Sequence, residues 1–166
     1  MDADVFKRAL GAWATGVAVV TTRIGEARHG MTVTAFSSVS LDPPLVLICA
    51  RSTSYTNARI AEAGVFAVNI LAAGQEDISD RFAGRSEVTD RFEGMACTDG
   101  PLGCPLFDEA LAAVECRVVQ VVEAGDHVVY IGAVGSAVVT GRDPLLYHRN
   151  GYREIIHGRR RSPRGE

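Results

Sequence analysis

The chain has 166 residues, of which 47% are hydrophobic and 22% charged, and its formal net charge is -3 with a pI near 5.8. This length fits one domain with a sizeable core, and the weakly acidic balance argues against a general attraction to nucleic acid or to an anionic membrane. The start of the chain lacks a secretory signal pattern, and no apolar run reaches the ~18 residues of a membrane helix. We therefore expect a cytoplasmic protein.

The first third of the chain predicts one helix and three strands. Apolar residues recur at helical spacing over residues 4–14, at Phe6, Ala9, Leu10 and Trp13. The elements that follow are a strand over 17–23, a polar turn over 25–30, a strand over 31–41 and a strand over 45–51. The Pro43-Pro44 pair separates the last two strands, because proline cannot donate to a strand ladder.

The middle of the chain mixes helices with an irregular segment. A run of Ser and Thr begins a predicted helix over 52–63, and Gly64 ends it. A strand over 65–71 and a short helix over 75–82 come next. Residues 85–105 lack periodicity, so we expect a long surface loop, and long loops are often functional.

The last third predicts two hairpins. Two long apolar strands, over 111–123 and 127–140, flank Ala124-Gly125-Asp126. Two short strands, over 145–149 and 152–156, flank a tight turn at Asn150-Gly151. About seven strands joined mainly by short turns, with two or three helices, favour a mainly β fold whose antiparallel sheet closes into a barrel.

We expect the folded domain to end at residue 156 and residues 157–166 to be a basic, solvated and disordered tail. Recruitment of an anionic partner by this tail is the alternative. The four cysteines should be reduced thiols in a cytoplasmic protein. Cys97 and Cys104 are close in sequence, but no nearby histidine completes a metal-ligand set, so we expect no metal.

The sequence lacks the common catalytic and nucleotide-binding signatures: a glycine-rich dinucleotide motif, a Walker A motif, a nucleophile elbow and a metal-spaced histidine pair. This leaves binding of a small molecule by hydroxyl groups and backbone amides. Two stretches have the composition for such a role, one around Ser52 and one around Thr32.

Ser52-Thr53-Ser54 lies where a strand is predicted to meet a helix. Backbone amides, hydroxyls and the positive end of the helix dipole would favour a phosphate there, and Arg51 and Asn57 could add donors. Ordinary helix capping explains the same residues equally well.

Hydroxyl residues alternate imperfectly along the strand 31–41, at Thr32, Thr34, Ser37, Ser38 and Ser40. Small side chains would let a flat heteroaromatic ring approach the backbone. A solvent-facing strand explains the pattern equally well. Taken together, however, the two stretches would put a ring site and a phosphate site one strand apart, as a mononucleotide requires.

These residues also carry a resemblance that extends from residue 6 to residue 156. The chain resembles the short-chain flavin reductases of two-component flavin-dependent monooxygenases. The resemblance rests on the segments FKRALGAWATGVAVVTT, GMTVTAFSSVSLDPPLVLICARSTSYT, FAVNIL, DRFAG, LAAVECRVVQVVEAGDHVVYIGAV and PLLYHRNGYR. It implies a homodimeric FMN-binding split barrel that uses FMN or FAD with NADH or NADPH.

The resemblance also implies roles for individual residues. It puts the flavin ring against Thr32, Val33, Thr34 and Ala35, near Ser37 and Ser38, with Cys49, Ala50 and Arg51 beneath. It puts the phosphate at Ser52, Ser54 and Asn57, with Arg81 and Phe82 beside the phosphate or the adenine. It puts His127 near the nicotinamide, with Tyr152 closing that side, and leaves His148 without a role.

The implied reaction is hydride transfer from the nicotinamide to free flavin, after which the reduced flavin leaves for a monooxygenase. His127 is the catalytic residue and would position the nicotinamide, with proton handling as its alternative role. A split-barrel flavoprotein that retains its flavin for electron transfer or redox sensing is the alternative. A β-barrel that binds nucleic acid is a more distant one, and the 7% aromatic content argues against it.

Overall fold

The computed structural model describes residues 1–155 and consists of strands with three helices. In chain order the elements are α1 (Ala3–Gly11), β1 (Thr15–Gly16), β2 (Ala18–Ile24), β3 (Ala27–Val33), β4 (Phe36–Leu41), β5 (Pro44–Arg51), α2 (Tyr55–Ala63), β6 (Val65–Ile70), α3 (Glu76–Phe82), β7 (Cys97–Asp99), β8 (Pro105–Phe107), β9 (Ala112–Ala124), β10 (His127–Val139), β11 (Leu146–His148) and β12 (Gly151–Arg153). The expected mainly β, antiparallel fold is confirmed.

Seven strands form the main antiparallel sheet, in the order β3-β2-β6-β9-β10-β5-β4. Its two edge strands, β3 and β4, are consecutive in sequence and are joined by only Thr34 and Ala35. The sheet must therefore curl until its two edges approach each other. The amide of Cys49 on β5 donates to the carbonyl of Ala35 at 3.1 Å, which continues the β4–β5 pairing up to this connection.

A closed barrel is not formed, because within residues 1–155 no ladder pairs β3 with β4. The prediction of one strand over 31–41 was also wrong, since Thr34 and Ala35 divide it between the two edges. The turn before it is shorter than expected: Gly25, at φ 55°, and Glu26 suffice, and β3 begins at Ala27. The hydroxyl pattern could not reveal this division, because it continues across the break.

The long hairpin of β9 and β10 is confirmed, with Gly125 at φ 64° in its turn. Helix α2 is also confirmed: the Ser54 hydroxyl caps it by accepting the Asn57 amide at 3.0 Å, and Gly64 ends it at φ 67°. The C-terminal turn uses Arg149 and Asn150, at φ 49° and 59°, one residue earlier than expected. None of the described helices has the length and apolarity needed to cross a membrane.

Helix α1 is confirmed as a helix, but its apolar side chains do not enter the core. Phe6 and Leu10 are 50% and 60% exposed, and Trp13, two residues after the helix, is 76% exposed. The Asp2 carboxylate caps the helix by accepting the Asp4 amide at 2.8 Å. The amphipathic pattern therefore identified the helix correctly, and the protein presents its apolar face to the outside.

Two buried clusters stabilise the domain. One lies on the face of the sheet covered by α2 and includes Ile48, Ile60, Phe66 and Tyr130. The other lies beneath α3 and includes Phe82, Phe92 and Phe107. Because Phe92 is 3% exposed, the segment over 85–105 is not simply the surface loop that its sequence predicted.

This segment also contains β7, which pairs with β8, and a buried carboxylate fixes the turn between them. Glu115 on β9 is fully buried and accepts backbone amides from Leu102 at 2.8 Å and Cys104 at 2.9 Å. Two such bonds compensate for burying the polar side chain of Glu115. The irregular segment is thus attached to the sheet by both an aromatic ring and a carboxylate.

Candidate functional site

A cavity of about 920 Å³ lies where the chain crosses between the two edges of the sheet. Its lining comes from β3, the Thr34-Ala35 crossing, the end of β5, the start of α2, the segment 89–92 and the start of β10. Ten of the sixteen predicted site residues line it: Thr32, Val33, Thr34, Ala35, Cys49, Ala50, Arg51, Ser54, Phe82 and His127.

The other six lie outside this lining. Ser37 lies in a separate groove beside Trp13, and Ser38 is exposed on β4. Tyr152 lines a smaller cavity of about 220 Å³ that shares Thr32 and Thr34 with the large one. The remaining three, Ser52, Asn57 and Arg81, hydrogen-bond to backbone groups of the protein.

The floor of the cavity is the end of β3 and the crossing. The Thr32 hydroxyl donates to the carbonyl of Ser79 on α3 at 2.6 Å, so it is already engaged. Val33 is buried, whereas Thr34 and Ala35 are exposed. A flat ring could therefore contact the backbone at Thr34 and Ala35, where the side chains are small and the β2–β3 ladder has ended.

The start of α2 forms one side of the cavity. The Thr56 hydroxyl donates to the carbonyl of Gly30 on β3 at 3.1 Å, which fixes the first helical turn beside the middle of that strand. As the first helical residues, Tyr55 and Thr56 have amides without an intrahelical acceptor. Together with the helix dipole, these amides suit a phosphate.

Asn57, which was predicted to hold phosphate, is buried and has internal partners. Its amide nitrogen donates to the Ser52 carbonyl at 3.1 Å, and its Oδ1 accepts the Tyr130 hydroxyl at 2.7 Å. Burial raises the pKa of Tyr130, which keeps this hydroxyl a donor. Asn57 thus connects the corner before α2 to β10.

We call Arg51, Ser52, Asp126 and His127 the polar wall; Arg51 and His127 line the cavity, and Ser52 and Asp126 are their neighbours in the chain. His127 pairs with Arg51 in the β10–β5 ladder, and its Nδ1 lies 2.7 Å from Asp126 Oδ1. The Ser52 amide and hydroxyl both donate to the Asp126 carbonyl, at 2.9 and 3.0 Å. The hydrogen bond from His127 lowers the pKa of Asp126, and the carboxylate in turn orients the imidazole.

We call Gly30, Phe82 and Phe92 the aromatic wall. The Phe82 and Phe92 rings meet edge to face, with centroids 5.0 Å apart. Phe82 packs so closely over Gly30 that a Cβ there would lie 2.7 Å from the Phe82 Cε1 atom. Arg91 ties the wall together by donating to the carbonyls of Gly30 and Phe82, both at 3.2 Å.

The smaller cavity is closed by Tyr152. Its hydroxyl donates to Asp80 Oδ1 at 2.7 Å and lies 2.9 Å from Ser79 Oγ. This bond lowers the pKa of Asp80, while burial raises the pKa of Tyr152. Because the Ser79 carbonyl also accepts the Thr32 hydroxyl, Tyr152 supports the floor through Ser79, and it lines a different cavity from His127.

Several residues of the site were not predicted from the sequence: Arg28, His29, Tyr55, Arg91 and Phe92. Arg28 lies over the Phe92 ring at 4.9 Å, and His29 contacts Tyr55 edge to face at 5.4 Å. Arginines in a polar turn and in an irregular segment look solvent-exposed in the sequence. In the structure they give the cavity a positive charge, since three arginines line it against one acid, Asp90.

These groups fit a phosphorylated heteroaromatic compound. The cavity has the small residues Thr34 and Ala35 on its floor, helix amides at one side and cationic side chains around it. Its volume lies near the top of the roughly 300–1,000 Å³ typical of small-molecule sites. Within residues 1–155, no three His, Cys, Asp or Glu side chains form a cluster able to hold a metal ion.

Comparison with known proteins gives matches along nearly the whole chain. Residues 10–155 match the flavin reductase like domain. A probable flavin reductase of Rhizobium meliloti is 42% identical over 161 residues, which cover 92% of this chain and 50% of that protein. The chain thus spans half the length of that relative.

Two other similar proteins match over nearly their full length. The reductase component of 4-hydroxyphenylacetate 3-monooxygenase from Thermus thermophilus is 39% identical, with 92% of this chain and 97% of that protein covered. The solved structure of the flavin reductase PheA2 is 39% identical, with a TM-score of 0.90 and coverage of 95% of this chain and 100% of that one. The chain belongs to the flavin reductase like domain family.

Proposed function

We propose that the protein is an NAD(P)H-dependent flavin reductase, which reduces free FMN or FAD and supplies the reduced flavin to a partner monooxygenase. The observation that carries the proposal is the composition of the large cavity. An exposed two-residue crossing, a capped helix start and a histidine held by a carboxylate line one space. Family membership and the monooxygenase reductase among the relatives support the same function.

Hydride transfer from the nicotinamide to the flavin is chemistry that these two compounds supply themselves. The protein's contribution is then to bind and orient them. In our proposal the crossing and the end of β5 hold the flavin ring through Thr34, Ala35 and Cys49. The first amides of α2 hold its phosphate, with Ser54 fixing the geometry of that turn.

His127 positions the nicotinamide in this proposal. With Nδ1 donating to Asp126, Nε2 of a neutral imidazole is an acceptor, as a carboxamide NH₂ group requires. Ser52 acts indirectly by fixing the Asp126 carbonyl. We assign Tyr152 to support of the floor, through Ser79 and Thr32.

The proposal includes a split-barrel domain over residues 1–156 that assembles as a homodimer in the cytoplasm, without binding nucleic acid. The curled sheet, with adjacent but unpaired edges, supports a split barrel. Large exposed apolar side chains on α1, just after it, and on β9 and β10 support an interface with a second copy: Phe6, Leu10, Trp13, Val119, Val121, Val138 and Val139. The basic tail lies outside the described residues.

A steady-state assay tests the proposal by crossing NADH and NADPH with riboflavin, FMN and FAD. The purified protein should oxidise the nicotinamide only when free flavin is added, and the reduced flavin should reach a separate oxidant across a dialysis membrane. A protein that purifies with bound flavin and does not turn over added flavin would instead support the flavin-retaining alternative.

A further inference from the structure

One end of the large cavity is not used by the function proposed above. Thr34, just after β3, lies six positions beyond Arg28, which is about 20 Å of extended chain. The Thr56–Gly30 hydrogen bond puts the start of α2 between these two points. A mononucleotide with its ring at Thr34 and its phosphate at α2 therefore leaves the Arg28 end of the cavity empty.

This far end is cationic. Arg28 lies at this end, and Arg91 lines the cavity next to it, where it donates to the Gly30 carbonyl. Within residues 1–155 neither arginine forms an ion pair with a carboxylate. The one lining acid, Asp90, accepts the backbone amide of Phe92 at 2.9 Å. Two arginines without acidic partners, inside a cavity, favour an anion with several oxygens.

The far end also offers flat surfaces. Tyr55 is 66% exposed, and the Arg59 guanidinium, 4.7 Å from its ring centroid, and the His29 ring hold it in place. An exposed aromatic ring fixed by neighbours costs little entropy when a planar base packs on it. The arginines could bind a diphosphate, and the Tyr55 ring could stack on a purine attached to it.

We propose that Arg28, Arg91, His29 and Tyr55 form a subsite for an adenosine diphosphate group, and that the protein consequently prefers FAD to FMN and riboflavin. The inference rests on the proposed flavin reductase function. NADH carries the same chemical group. FAD is favoured because its diphosphate continues directly from the phosphate position at α2 toward Arg28.

Arg28→Gln is the variant that tests the subsite, because Arg91 also supports the aromatic wall through two backbone carbonyls. Arg28→Lys keeps a charge, and Arg142→Gln removes a charge from an exposed arginine that does not line this cavity. Calorimetric titration with riboflavin, FMN and FAD gives the affinities without turnover. An unfolding midpoint for each variant checks that the fold is retained.

Wild-type protein should bind FAD at least tenfold more tightly than FMN. Arg28→Gln should weaken FAD binding roughly 10- to 100-fold, the range for loss of a charged hydrogen bond, and leave FMN and riboflavin within twofold. Arg28→Lys should recover part of the loss, and Arg142→Gln should change nothing.

Three results would overturn the subsite. Equal wild-type affinities for FAD and FMN would show that the adenosine half makes no contact. An equal loss of affinity for FMN and FAD in Arg28→Gln would show that Arg28 binds the phosphate that both flavins share. A raised KM for NADH with unchanged FAD affinity would assign the subsite to the nicotinamide donor. Absence of flavin-dependent NAD(P)H oxidation with every flavin would instead reject the reductase function itself.

Discussion

The two walls of the cavity are built from different interactions. The aromatic wall, Gly30 with Phe82 and Phe92, is buried and continuous with the core beneath α3. The polar wall, Arg51 with Ser52, Asp126 and His127, is exposed and depends on hydrogen bonds at a hairpin turn. Because the aromatic wall is buried, its side chains contribute to the free energy of unfolding. Substitutions in the exposed polar wall should change that free energy little. Mutations in the two walls should therefore separate stability from activity.

The largest stability effect is expected for Phe82→Ala. Phe82 is 1% exposed and contacts both Phe92 and Phe107, so truncation should cost about 3–5 kcal/mol of unfolding free energy. Urea denaturation followed by circular dichroism measures the loss. Phe6→Ala, at a half-exposed ring on α1, is the matched control and should cost less than 1 kcal/mol in the monomer. Similar losses of unfolding free energy in both variants would show that Phe82 stabilises the fold no more than an exposed ring does.

Gly30→Ala should destabilise through overpacking. The added Cβ would lie 2.7 and 2.8 Å from two atoms of the Phe82 ring, which is itself buried and cannot move freely. We expect a loss of about 1–3 kcal/mol, seen as a lower midpoint in the same titration. Gly141→Ala adds the same methyl group where no atom lies within 4 Å and serves as the control. An unchanged midpoint for Gly30→Ala would mean that the wall is more adaptable than its packing indicates.

His127→Ala should impair activity while leaving stability nearly unchanged. The unfolding free energy should change by less than about 0.5 kcal/mol, since the side chain is at the surface, while the KM for the nicotinamide should rise roughly tenfold through loss of one hydrogen bond. Steady-state kinetics at a fixed flavin concentration measure the KM for the nicotinamide, and a flavin titration measures the affinity for flavin. The His148→Ala variant, outside this cavity, controls for removal of an imidazole. Equal losses of apparent affinity for flavin and for the nicotinamide would contradict the proposed role of His127.

Ser52→Ala should have the smallest effect. It removes one of two hydrogen bonds to the Asp126 carbonyl and leaves the backbone bond at 2.9 Å in place. We expect a rise of a few-fold in the KM for the nicotinamide, with kcat and flavin affinity unchanged, as a positioning residue requires. Ser38→Ala, at an exposed serine on β4, is the control. A loss of flavin affinity in Ser52→Ala would restore this residue to direct phosphate binding.

The sequence predicted the elements whose patterns are local. The β-branched runs of β2, β6, β9 and β10 and the capped helix α2 lie within a few residues of their expected bounds. The division at Thr34 and Ala35 was missed because it depends on which strands neighbour β3 and β4 in the sheet, and those partners lie far away in sequence. Local hydroxyl spacing contains no information about them.

The candidate site shows the same limit. Thr34, Cys49, Ser54 and His127 do line one cavity, as expected from the family resemblance. Arg91 was missed because its irregular segment has no periodicity, and its position follows from the burial of the neighbouring Phe92. Long-range packing, rather than any motif, brings that segment to the cavity.

The two-residue connection between the sheet edges has a consequence for folding. β3 and β4 are neighbours in the chain, yet they meet across a sheet whose central strands, β9 and β10, come from residues 112–139. The floor of the cavity can thus reach its native geometry only after the downstream half of the chain has been synthesised and paired. A partly folded chain should therefore lack flavin affinity, so that flavin binding reports the completion of folding. A flavin present during refolding should slow unfolding of the native protein without accelerating the first steps of folding.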